Sequence, residues 1–90
     1  MFRLVLSSHT QKFLKKSDKQ LCQRLIKKIK ELSNDPFPSD SKRVVGRKDK
    51  VFRIRVGDYR IEYVVYYEAN EVLIADVDKR ERIYSNRQKF

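Results

Sequence analysis

The ninety-residue chain has the length of a single domain, 1–90, and leaves no room for a second core. Twenty-two Lys and Arg against twelve Asp and Glu give a net charge of +10, which points to an anionic partner: nucleic acid, an acidic membrane surface or an acidic protein. The single cysteine, Cys22, excludes an internal disulfide or a cysteine-based zinc cluster and fits a reducing, cytoplasmic setting, while Phe2–Leu6 is too short for a signal-peptide core and no run approaches a membrane span.

Phe2–Leu6 reads as a first strand. Ser7 and Ser8 stop it, and Ser8 with Gln11 has the spacing of a capping box. A short helix to about Lys16 follows and buries Phe13 and Leu14. Ser17 and Gln20 offer a second capping box. Behind it Leu21, Leu25, Ile29 and Leu32 recur at helical spacing, and Cys22 and Ile26 widen the stripe. This helix runs from about Asp18 to Ser33 and ends at Asn34-Asp35-Pro36, because the residue before a proline avoids the α region. Two antiparallel helices are expected.

The second half changes period. Arg43–Val45 reads as a brief strand ended by Gly46, and Arg47–Lys50 as a charged turn. In Val51–Val56 the residues Phe52, Ile54 and Val56 alternate with Val51, Arg53 and Arg55. Gly57-Asp58 is a tight turn. Tyr59–Tyr67 is a strand with Tyr59, Ile61, Tyr63 and Val65 on one side and Arg60, Glu62, Val64 and Tyr66 on the other. Glu68–Glu71 turns again, Val72–Val77 is the last strand, and Lys79–Phe90 is a charged tail. The order β-α-α-β-β-β-β predicts an α+β fold. Its two N-terminal helices pack on one face of a mainly antiparallel sheet of four or five strands, and the other face is left free.

The basic residues are spread through patterned segments. They are densest between Lys42 and Arg60, where eight face only Asp49 and Asp58. Such embedding predicts a folded basic surface. Arg53 and Arg55, two apart on a strand, project from one face roughly 7 Å apart and make a fork for phosphate oxygens. Arg60, just across the turn, joins them if the register follows the alternation. Spacing alone leaves a second reading open: a solvated strand face whose arginines pair with Glu62 or Asp58.

The stretch Val51-Phe52-Arg53-Ile54-Arg55-Val56-Gly57-Asp58-Tyr59-Arg60-Ile61 resembles the central signature of the RelE/ParE toxin superfamily. Lys79-Arg80-Glu81-Arg82-Ile83-Tyr84 resembles its C-terminal basic motif closed by tyrosine. Element order, length and charge agree, so the resemblance spans nearly the whole chain. It implies a RelE-like fold and, because Arg53, Arg55, Arg60, Arg80 and Tyr84 are all present, the RelE-like branch of ribosome-dependent messenger-RNA endonucleases. Arg53 and Arg55 stand where some members carry lysines, which keeps the charge and changes the geometry. The alternatives are a ParE-like, non-enzymatic gyrase poison and a basic RNA-binding module without activity.

For the endonuclease the resemblance implies catalytic roles for Arg55, Arg60, Arg80 and Tyr84. Arg53, Arg82, Lys50 and Lys79 would contact RNA or the ribosome. Arginine stays protonated, with a pKa above about 12, and so suits stabilisation of charge on the phosphate. Tyr84 is the candidate proton acceptor, its ordinary pKa of about 10 lowered by surrounding cations, or else stacks on a base. His9, the only histidine, sits far in sequence from the arginine strands and is read as structural or solvated. Glu62 and Glu81 are runner-up bases. Asp76 and Asp78 share a strand face, but nothing completes a metal site. No cofactor is expected. The expected partners are a RelB-like antitoxin, forming a hetero-oligomer, and the ribosome with its messenger RNA. No membrane is expected to take part.

Overall fold

Ser7, in extended backbone, begins the first helix: its hydroxyl accepts from the Thr10 amide at 3.1 Å. The helix, α1, spans Ser8–Lys16. The cap therefore lies one residue before the expected Ser8, and Gln11 reaches back to the Leu6 carbonyl instead of closing a capping box. The second helix, α2, spans Lys19–Asn34 and is capped by Asp18, whose carboxylate accepts from the Leu21 amide at 2.9 Å. Here the cap lies one residue after the expected Ser17, whose own hydroxyl donates to the Phe13 carbonyl and closes α1. The computed structural model describes residues 1–44 and 50–79.

Five strands follow the expected order: β1 Arg3–Leu6, β2 Lys42–Arg43, β3 Val51–Val56, β4 Tyr59–Tyr66 and β5 Glu71–Lys79. They form one sheet in the order β1-β5-β4-β3-β2. The meander β2 to β5 is antiparallel, while β1 pairs parallel to β5 through Arg3 opposite Glu71 to Leu6 opposite Ile74. The sheet is therefore mixed, and the first strand lies beside the last. The expected Arg43–Val45 strand begins one residue earlier, at Lys42, and the Arg47–Lys50 turn falls largely outside the described residues.

One face of the sheet carries the core. Ile54 and Val56 of β3, Ile61 and Tyr63 of β4, and Val72, Ile74 and Val77 of β5 pack under Leu14 of α1 and Leu25, Ile29 and Leu32 of α2. The helix α1 lies along β5, and α2 crosses β1, β5 and β3. Tyr63 is fully buried, and its hydroxyl donates to the Pro36 carbonyl at 2.7 Å, fastening the segment after α2 to the sheet.

An irregularity in β5 decides which face its acids occupy. Glu62 pairs with Asp76 and Tyr63 with Ile74, so Ala75 is an extra residue on β5, a β-bulge. It shifts the alternation by one. Ile74 and Val77 can then both face the core, and Asp76 and Asp78 both face away from it. The start of α1 is tied to the bulge: the Ser7 hydroxyl donates to the Ala75 carbonyl at 2.8 Å, and the buried Thr10 hydroxyl to the Ile74 carbonyl at 3.0 Å.

Candidate nucleic-acid interface

Residues directly opposite one another on neighbouring strands project from the same side of a sheet. On the side away from the core this rule gives two rows of charge. The first runs Lys42, Arg53, Glu62, Asp76 across β2, β3, β4 and β5; the second runs Arg55, Arg60, Asp78 across β3, β4 and β5. Cations collect at the β2–β3 edge and acids on β5. Lys42, Arg53, Arg55 and Arg60, together with Asp40, line a cleft of about 240 Å³.

The rows are not uniformly solvated. Arg55 is exposed and Arg53 is half-buried, whereas Arg60 is 1% and Glu62 5% exposed. A charge buried to that degree requires polar partners. The solvated-face reading therefore fails for β4. The pairing half of that reading is retained, since Glu62 stands opposite Arg53. Arg55 and Arg60 face each other directly, an arrangement of like charges that is unfavourable by itself.

The acid end has a feature that sequence reasoning missed. His9 Nε2 lies 2.9 Å from Asp76 Oδ1, so the histidine remote in sequence stands at the end of the first row. Burial raises the Asp76 carboxyl above its ordinary value. His9 pulls it down, while Glu62 and Asp78 push it further up. Only the fold reveals this pair, because the bulge and the start of α1 create it together. Among the described residues, no group of three or more His, Cys, Asp or Glu side chains could hold a metal ion.

Of the expected site residues, Arg53, Arg55 and Arg60 are brought together. Lys79, opposite Tyr59, falls on the helix side of the sheet, where it lines a groove with Phe13, Lys16 and Leu21. Lys50 is exposed just ahead of β3. Arg80, Arg82, Tyr84 and Glu81 lie outside the described residues.

Two helices on a mixed five-stranded sheet, with guanidiniums clustered on the far face, define a small basic α+β protein. Comparison with known proteins narrows the class. The profile of the ParE toxin of type II toxin-antitoxin systems, parDE, matches residues 5–84. The protein named toxin RelE1 of Methanocaldococcus jannaschii is 37% identical over 68 residues, covering 68% of this chain and 74% of that one. The chain in the archaeal RelE–RelB complex from Pyrococcus horikoshii superposes with a TM-score of 0.78 at 26% identity, over 90% of this chain and 97% of that one. The isolated E. coli RelE toxin gives 0.76 at 26% identity, over 99% and 97%. The chain belongs to the RelE/ParE superfamily of type II toxins, on its RelE-like branch.

Proposed function

We propose that this toxin is an endoribonuclease that cuts messenger RNA on the ribosome by 2′-hydroxyl attack, with no need for a metal. The observation that carries the reading is the convergence of Arg53, Arg55 and Arg60 on one cleft. In the reaction the 2′-oxygen bonds to the adjacent phosphorus and loses its proton. The bond from phosphorus to the 5′-oxygen breaks, and that oxygen leaves with a proton. The products are a 2′,3′-cyclic phosphate and a free 5′-hydroxyl.

Negative charge grows on the phosphoryl oxygens as the new bond forms. Arg55, exposed at the cleft, meets that charge directly, Arg60 opposite it adds a buried positive charge at the cleft wall, and Arg80 is assigned the same role. A phosphate bound at Arg55 offsets the repulsion between the two guanidiniums. Arg53 positions the backbone. Tyr84 takes the 2′-proton or stacks on a base. Lys50, Lys79 and Arg82 contribute further RNA or ribosome contacts. Such a site is rich in charge stabilisation and poor in bases, so it relies on the ribosome to hold the message in a reactive geometry.

The partner in this reading is a RelB-like antitoxin, as in the RelE–RelB complexes of Pyrococcus horikoshii and E. coli, and the setting is the cytoplasm, where translation takes place. Among the described residues, no helix is long and apolar enough to cross a membrane.

Primer extension on messages translated by purified ribosomes tests the proposal. Wild type should create new 5′ ends. Arg60→Ala should lower the cleavage rate by about 10²- to 10³-fold, the usual loss for one charge-stabilising donor. Tyr84→Phe should lose activity where the phenol takes the proton and keep it where the ring only stacks on a base. Cleavage unchanged in Arg60→Ala, or rapid cutting of free RNA by wild type, overturns the mechanism. The matching ParE profile favours one second reading, inhibition of gyrase, and loss of supercoiling by purified gyrase in the absence of RNA cleavage would establish it instead.

A further inference from the structure

The helix α2 carries a second set of cations that the site above does not use. Gln20, Gln23, Arg24 and Lys27 line a shallow cleft on its outer side. All four are exposed. Lys28, one residue on, is the α2 cation held by acids, with Asp40 at 3.1 Å and Glu31 at 3.6 Å. Arg24 and Lys27 have no such acidic partner among the described residues.

Arg24 also reaches the β3–β4 turn. A Cβ built on Gly57 would lie 2.8 Å from the guanidinium Nη2, so this cation rests directly on the turn. The same turn joins Arg55 to Arg60. The helix cleft and the sheet cleft are therefore neighbours around one hairpin tip.

We infer that Gln20, Gln23, Arg24 and Lys27 form a second contact for the phosphate backbone of RNA, continuous with the arginine face around Gly57. The inference rests on the proposed RNA-directed function and adds a surface to it. The chemistry favours RNA over a protein partner. Protein interfaces are anchored by large apolar side chains buried at their centre. The exposed large hydrophobics among the described residues, Met1, Val5, Phe37, Tyr66 and Tyr67, all lie off α2. Two cations flanked by two amides supply what phosphate and sugar oxygens take up, charge and hydrogen bonds.

The test is the salt dependence of binding of the free toxin to a fluorescent 20-nucleotide oligouridine, followed by anisotropy over a series of KCl concentrations. Each phosphate contact on a single strand contributes about 0.7 to the slope of log K against log salt. Arg24→Gln/Lys27→Gln should reduce the slope by about 1.4 relative to wild type, and Lys27→Gln alone by about half of that. Lys12→Gln/Lys15→Gln, an equal loss of charge from exposed positions on α1, should leave the slope nearly unchanged. Equal changes in both double variants would mean bulk charge alone and would overturn the inference. So would an unchanged slope in the α2 variant combined with weaker binding of an acidic antitoxin peptide. Failure of wild type to bind the oligouridine at all would count against the RNA-directed function itself.

Discussion

Asp76 shows how a single side chain can trade stability for position. Its carboxyl is raised above the ordinary value of 3.8 by burial, with His9 lowering it and Glu62 and Asp78 raising it. Folding thus favours its neutral form. Its contribution to stability is fully present below about 3.8, the unfolded value, and is lost as pH rises through the higher folded value. Asp76→Asn should therefore be more stable than wild type at pH 7, and the difference should vanish as pH falls below the carboxylate range. Because Asp76 is partly exposed and paired with His9, the gain is small, on the order of 0.5 kcal/mol. Urea titrations at pH 7 and pH 3.5 check both the sign and the window. At this scale the arginines and the shared face of Asp76 and Asp78 were legible, and the histidine that meets Asp76 was not. Arg53, Arg55 and Arg60 follow from strand alternation and a two-residue turn, both local. The meeting of His9 with Asp76 depends on which helix end abuts which strand edge, and no local pattern encodes that.

The elements were legible in kind and order, and less so at their ends. Both helices were placed, but each cap was displaced by one residue, because Ser7 and Ser8, and Ser17 and Asp18, offer adjacent side chains of equal capping competence. Bonds made elsewhere decide between them: Ser7 also donates to Ala75 across the fold, and Ser17 turns back locally to close α1. The bulge at Ala75 was invisible because either parity of β5 brings apolar residues to the core. The β3–β4 hairpin was the clearest signal. It has an exposed mechanical weak point in Gly57, at φ +60°, beneath the Arg24 guanidinium. Gly57→Ala adds a Cβ in the left-handed region, worth roughly 1–2 kcal/mol, and must also displace Arg24. It should lower stability by about that amount in chemical denaturation. It should also reduce cleavage more than an equally destabilising core substitution does, because the turn sets Arg55 against Arg60.

For the whole molecule the governing quantity is the net charge of +10 on ninety residues. Cations line the far side of the sheet and the outer side of α2, and they outnumber the acids that can offset them; Arg3 with Glu71, and Lys28 with Glu31 and Asp40, are ion pairs among the described residues. Self-repulsion therefore opposes compaction. Raising KCl from 0.02 to 0.3 M, which shortens the screening length from roughly 20 Å to about 6 Å, should raise the melting temperature of the free toxin by several degrees. The same change should weaken RNA binding. Opposite responses to one variable are the expected outcome for a cation-rich surface that binds RNA, and scanning calorimetry beside anisotropy reads both.

The parallel seam between β1 and β5 also bears on synthesis. Residues 3–6 find their hydrogen-bonding neighbours only at 71–74, and β5 is the strand that joins β1 to the rest of the sheet. While the nascent polypeptide is still short of its last strand, residues 3–6 have no strand to pair with, and the acid end of both charge rows does not yet exist. Long-range closure of this kind is slow and comes late. A chain cut off ahead of β5 therefore has a helix pair and a hairpin with β1 left unpaired and the centre of the core missing, not a smaller toxin.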